Sequence, residues 1–552
     1  MKKHHALASL LGAFLVCGGA PAAEPPPRGG AAERRAPLFN DLGRYHHKVA
    51  TKSKQAQRYF DQGLILAYGF NHREAGRSFR EAARLDPQCA MCWWGAALVL
   101  GPNYNAPMSP EEVRDAWDLV QRARAAAPGA SERDRAYVEA LGKRYAESPP
   151  ADRRPLDEAY AGAMREVARR FPDDPDAAAL FAESLMNLHP WDLYDAGGEP
   201  RPWTPEILAT LEGVLARNPE HPGAIHFYIH ATEASKEPAR AEKHADKLGR
   251  LAPGSGHLVH MPSHTYIRIG RYLDAVRANE AATRADDSYV TQCRAQGLYP
   301  LAYVPHNHHF LWASASMLGD SATAIRAARA TNDRTHHELM AEFGTLQHYS
   351  LIPLFAFVRF GKWDEILAAP APPASLPYAT GVWHYVRGLA HARSGRLEPA
   401  AEELSALKRA LLRPEIEKVT LWDINSASDV LGIAQEVLAG EINAARGRYD
   451  RAERQLRRAA RLEDALRYQE PSDWHFPVRH ALGAVLLEAG RPAEAEDVYR
   501  EDLKANPENG WSLHGLMKSL QAQGNDGEAA AARARFERAW KHADVELTAS
   551  RF

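Results

Sequence analysis

Small and large apolar residues recur along the chain at the spacing of stacked helix pairs. On a first predicted helix Ala56, Tyr59 and Gly63 share a face, on a second Ala75, Phe79 and Ala82 do so, and Pro87 closes the unit. A helix-turn-helix repeat of about 34 residues demands this pattern, with small residues where its two helices cross and large apolar ones between neighbouring repeats. The register returns with Gly388, Ala400 and Leu404, with Gly440, Ala452 and Leu456, and with Gly483, Ala495, Tyr499 and Pro507. Between these copies the interval to a closing proline persists from Ala116 to Pro128 and from Ala241 to Pro253, and more weakly from Ile207 to Pro219. Two Pro/Gly-rich insertions, GPNYNAPMSPEE after Leu100 and HPWDLYDAGGEPRPWTPE after Leu188, must loop out between the helices of their repeats. The pattern predicts about eleven or twelve helix pairs from residue 56 onward, with no strand-like run. A polar helix over residues 526–544 is expected to cap the array.

This register resembles the tetratricopeptide repeat (TPR) superfamily over nearly the whole chain. The segments DPQCAMCWWGAALVLGPNYN, HPGAIHFYIHATEAS and HLVHMPSHTYIRIGRYLDAVRANEAA resemble a group of large bacterial exported TPR-domain proteins over the N-terminal two thirds. The resemblance implies an all-α, TPR-like α-solenoid, a right-handed superhelix of antiparallel helix pairs whose first helices line the concave side. It implies no activity. Residues 40–350 are expected to hold N-terminal and central repeats with inserted loops and a histidine-rich inner face, and residues 351–552 the C-terminal repeats and capping helix.

The 68 Lys+Arg against 70 Asp+Glu leave a formal charge of −2, which excludes a polyanionic partner such as nucleic acid. No run of about 18 apolar residues could span a bilayer. At the N-terminus Lys2 and Lys3, an apolar stretch over residues 6–16, and Ala20-Pro21-Ala22 read as a cleaved signal peptide over residues 1–22. A lipid anchor on Cys17 competes with this reading, but Val16 is bulky where such signals want Gly or Ala. Residues 23–39 are rich in Pro, Gly and charge and read as a disordered linker. The expected location is periplasmic or secreted. There Cys89 and Cys92, a C-x-x-C opening a predicted helix, are expected to form a local disulfide rather than a redox centre, with Cys293 far along the chain. Trp93 follows Cys92 where covalent haem attachment needs His.

Histidine departs from the ordinary. Fourteen of the 25 histidines fall within residues 189–348. His226, His230 and Glu233 stand at i, i+4 and i+7 on one predicted first helix, and so share a face. His257, His260 and His264 do the same on the next, provided Pro262 is tolerated in the opening turn. His306 and His309 open the following one after Pro305, with His308 pointing elsewhere. Borderline metals such as zinc, copper and iron take neutral imidazole nitrogens, and H-x-x-x-H puts two on one side of a helix. The competing reading packs these histidines inside the superhelix, bonded to groups such as Tyr228, Tyr266, Tyr303 and Asp192. No H-E-x-x-H or E-x-x-H pair fixes a reaction, and Ser263-His264 points apart on a helix, so no hydrolase is supported. Trp191, Trp203, Trp312, Trp363 and Trp383 could line a ligand groove, but tryptophan is a normal filler between repeats and they read as core.

Two functions follow. The fold suggests a scaffold whose concave groove holds a peptide or protein partner in the cell envelope. The residues suggest a metal-binding or metal-dependent protein built on His226, His230, Glu233, His257, His260, His264 and His306 or His309, its cofactor a divalent transition metal.

Overall fold

The computed structural model describes residues 36–293 and 299–552, with the side chains of residues 291–293, Cys293 included, outside the description. The expected signal peptide over residues 1–22 also lies outside the described residues. Of the expected linker, residues 36–39 are described and are tied down. Tyr59 donates its hydroxyl to the Ala36 carbonyl at 2.9 Å, and the Gln62 side chain brackets Pro37 and Phe39.

Consecutive helices packed in pairs make up two compact units. One holds the described residues up to Pro262 with Ala281–Pro300, and the other Ser263–Glu280 with Leu301–Phe552. The division expected at residue 350 therefore falls inside the second unit.

In the first unit Ser53 caps helix Lys54–Tyr68 by accepting the Ala56 N–H, and helix His72–Leu85 packs back on it. Phe79 is fully buried between Gly63 and Gly95, where an added Cβ would stand 2.7 Å and 2.4 Å from its ring. Glycine is thus required at both places for the helices to close on the ring. The two insertions run where expected, one between helices Ala90–Leu98 and Val113–Ala126, the other between Pro175–Leu188 and Thr204–Arg217.

In the second unit the same device recurs. Gly440 meets Leu456, and Gly483 and Gly515 both press on Tyr499. Gly388 meets Leu438, on helix Ala427–Ala445, more closely than any side chain of its own pair. A two-stranded antiparallel pair, Thr420–Leu421 with Asn425–Ser426, is the sheet found among the described residues. Two helix boundaries differ from expectation. Residues 257–264 do not form one helix: Gly256–His260 ends before Met261, and Pro262 opens a new helix, Pro262–Arg268. Proline lacks the N–H that a continuing helix needs, so it sits at a first position. The last helix, Asp526–Ala539, stops short of residue 544, because Trp540 turns the chain by donating its indole N–H to the Val545 carbonyl at 2.8 Å.

Candidate metal centre

Helix Pro222–Glu233 is buried at every residue, so its polar side chains lie in the protein interior. His221 caps it, its Nδ1 accepting the Ala224 N–H at 3.0 Å. Further along it, one turn apart, His226 and His230 meet His257 of helix Gly256–His260. The Nε2 atoms of His226 and His257 are 3.2 Å apart, at hydrogen-bond distance, and one ring nitrogen from each of the three histidines lies within 4.8 Å of the others. All three side chains are at most 2% exposed.

Two of the rings are held from behind. His226 Nδ1 lies 2.6 Å from the Tyr68 carbonyl oxygen, which can only accept, so Nδ1 carries the hydrogen and Nε2 of the neutral ring keeps its lone pair. Tyr68 is the last residue of helix Lys54–Tyr68, whose final carbonyls have no intrahelical donor. His230 Nδ1 lies 2.9 Å from Glu233 Oε1, which fixes the same tautomer. Metal-bound imidazoles are held in this way, the far N–H given to a carbonyl or carboxylate.

Aromatic rings wall the cluster. Phe70 stacks on His257 and His230 at 5.6 and 6.0 Å and meets His226 edge-on at 4.6 Å. Tyr104 and Trp191 stand 5.2 and 5.9 Å from His230. Burial, then the Glu233 carboxylate, holds the Tyr104 hydroxyl well above the ordinary tyrosine range, so it remains a neutral wall. Phe70 and Trp191 have φ of 53° and 57°, a left-handed conformation costing on the order of 1 kcal/mol each for such side chains. None of the three was picked out from the sequence as part of this site. Tyr104 and Trp191 lie in the two insertions, and Phe70 lies in the Gly69-Phe70-Asn71 turn.

The remaining expected residues are placed as follows. His260 is fully buried, its ring 5.9 Å from that of His257. His264 belongs to the second unit, where its Nδ1 lies 2.9 Å from Glu470 Oε2 and its ring 6.0 Å from that of His306. Glu470 was not singled out from the sequence. His309 stacks on Trp312 at 5.3 Å and meets the edges of His348 and Tyr349. Burial, and next the neighbouring His348, push its pKa well below the ordinary histidine value. Of the expected set, then, the first unit gathers His226, His230 and His257, with Glu233 orienting one of them.

A second buried group in the first unit escaped the sequence reading. Asp176 accepts from His47 Nδ1 at 2.6 Å, from Tyr45 at 2.8 Å and from the Tyr68 hydroxyl, and lies 3.3 Å from His221 Nε2. With this many donors Asp176 is a hydrogen-bonded anchor for residues 45–47. Tyr68 thereby joins both groups, its hydroxyl on Asp176 and its carbonyl on His226. Cys89 and Cys92, both fully buried, are joined in a disulfide with a Cα–Cα distance of 5.3 Å.

No protein-family profile matches the chain, and no curated protein matches it. Among solved structures it is similar to a human IFIT1 dimer with m7Gppp-AAAA (12% identity, 89% of this chain and 91% of that one, TM-score 0.31). It is also similar to the Cut9–Hcn1 hetero-tetramer of APC/C (14%, 88% and 76%, TM-score 0.31) and to yeast Tom70 (10%, 88% and 90%, TM-score 0.28). At these scores the likenesses assign neither a partner nor an activity.

Proposed function

We propose that this TPR-like protein binds a transition-metal ion through His226, His230 and His257. The observation that carries the reading is the trio of buried imidazoles, two of them with the far nitrogen already committed to Tyr68 and Glu233. Two nitrogens bound at about 2.0–2.1 Å to one tetrahedral ion lie roughly 3.3 Å apart, and His226 and His257 stand at 3.2 Å. Zinc, copper and iron all accept such donors. The N-terminal signal pattern supports a place in the cell envelope, where a repeat scaffold can also meet a peptide or protein partner.

The test is metal content. Protein made with its own signal segment and without a histidine tag, exchanged into metal-free buffer, should carry close to one equivalent by mass spectrometry. His226→Ala and His257→Ala should each lose it while keeping the helical signal, and His384→Ala should retain it. Metal-free parent protein that also fails to take up zinc or copper on titration refutes the proposal.

A further inference from the structure

In the second unit the residues after the last helix run along a row of helix ends. Gly361 follows helix Gly344–Arg359, Arg393 ends Pro377–Arg393, Glu441 stands in the last turns of Ala427–Ala445, and Glu488 ends Val478–Glu488. Helix C-termini gather partial negative charge, and this row adds the carboxylates of Glu441 and Glu488 against one guanidinium, that of Arg393, which lies 3.3 Å from Glu441 Oε2.

Arg551 answers that charge. Its Nε lies 2.9 Å from Glu441 Oε1 and its Nη2 3.1 Å from Glu488 Oε1, and its side chain is 7% exposed. On one side of it Ser550 donates to the His480 carbonyl at 2.6 Å and meets the Tyr499 hydroxyl at 2.7 Å. On the other side Phe552 packs on Gly361, where an added Cβ would stand 3.0 Å from the Phe552 Cβ, and meets Trp511 edge-on at 5.9 Å. Among the described residues no main-chain to main-chain hydrogen bond joins residues 545–552 to the helices. The segment is held by side chains, as a bound peptide with three anchors would be.

We propose that this row is a recognition site for a segment presenting a hydroxyl, a guanidinium and an aromatic ring in succession, and that residues 545–552 occupy it as a detachable ligand in cis. Its tether begins at Asp544, whose carboxylate accepts the Ser321 and Ala322 N–H groups at 2.7 and 2.9 Å and caps helix Ser321–Asp333. A ligand so tethered faces its site at an effective concentration on the order of millimolar, which closes the site to competitors of ordinary affinity. Release of the segment opens it. The proposal stands apart from the metal reading.

The probe is a synthetic peptide of residues 541–552, fluorescently labelled at its N-terminus, titrated with the full chain and followed by anisotropy. Arg551→Glu in the full chain places a carboxylate against Glu441 and Glu488 and should free the site, so that this variant binds the peptide at least tenfold more tightly than the parent. A folded Arg551→Glu protein that gains no binding overturns the proposal, as does a parent that binds equally well. Should the variant not fold, hydrogen exchange on the parent decides. Amides of residues 545–552 should exchange faster as salt rises while those of helix Ala427–Ala445 do not change, whereas exchange of the segment that is independent of salt overturns the proposal.

Discussion

Glu233 gives the metal reading its most quantitative test. Its carboxylate holds the Nδ1–H of His230 at 2.9 Å, with both side chains buried. If Nε2 of His230 binds an ion, Glu233 aims the ring, fixes its tautomer and raises its basicity. Removing such a partner typically lowers metal affinity 10–100-fold, about 1.4–2.7 kcal/mol. The two ends of that range separate by chemistry. Glu233→Gln can still accept the Nδ1–H but without charge, and a charge-assisted bond is roughly twice as strong as a neutral one, so its loss should lie near tenfold. Glu233→Ala leaves a buried N–H without this acceptor and should approach 100-fold. The assay is competition with a chromophoric chelator of known affinity, using zinc and then cuprous copper, with the circular dichroism melt as a control for folding. Equal affinity in parent and Glu233→Ala would refute the reasoning. So would complete loss in Glu233→Gln, which would place the carboxylate in direct contact with the ion.

Phe79→Ala removes a ring clasped by Gly63 and Gly95, and should destabilise the first unit by about 3–5 kcal/mol in a denaturant titration; less than 1 kcal/mol would mean that the crossing is not tightly packed. His47 is a pH-dependent element. Burial opposes its charge, but the carboxylates of Asp176 and Asp174 outweigh it and raise its pKa. Its contribution is therefore complete below the unfolded histidine value and lost as pH rises through the folded one. Asp176 behaves conversely: burial is outweighed by His47 and His221, its pKa is depressed, and its contribution is lost as pH falls through that low value. His47→Leu should flatten the decline of stability above neutral pH, and an unchanged profile would count against this assignment. His480 bridges two buried charges, taking an N–H from Arg359 at 3.1 Å and facing Asp502 at 3.1 Å, while burial pushes Arg359 down to about 9. His480→Leu interrupts that path and should cost about 3 kcal/mol or more in chemical denaturation; a neutral substitution would contradict the bridge.

The fold was legible because helix crossings accept so few residues. A glycine facing a large side chain on the next helix of the same pair, as at Gly63 with Phe79 or Gly483 with Tyr499, is a steric requirement that shows directly in the residue types. The histidine faces were legible for the same reason, since a rigid helix turns spacing into direction. What stayed hidden depends on contacts between distant residues or on unusual backbone. Phe70 and Trp191 reach the cluster through left-handed φ values that no propensity favours. Tyr104 arrives from a loop whose path is set by what it packs on, and Glu470 and Asp176 are carboxylates without helical periodicity toward their histidines. Pro262 was a matter of degree. A proline in a first turn and a proline that starts a new helix look alike in sequence, and the break at Met261 decides between them. The helix was read on to residue 544, five residues past its end at Ala539, and the anchors of Arg551 and Phe552 on Glu441, Glu488 and Gly361 left no local signal because they lie far away in sequence.

The central claim is most directly tested by anomalous scattering from crystals of protein loaded with zinc or copper, recorded on both sides of the metal edge. The account predicts one strong peak in the first unit, about 2.0–2.1 Å from nitrogens of His226, His230 and His257, with the Tyr68 carbonyl and Glu233 still bonded to the far nitrogens of His226 and His230. No peak at that position, or peaks confined to exposed histidines such as His336 and His337, would contradict it.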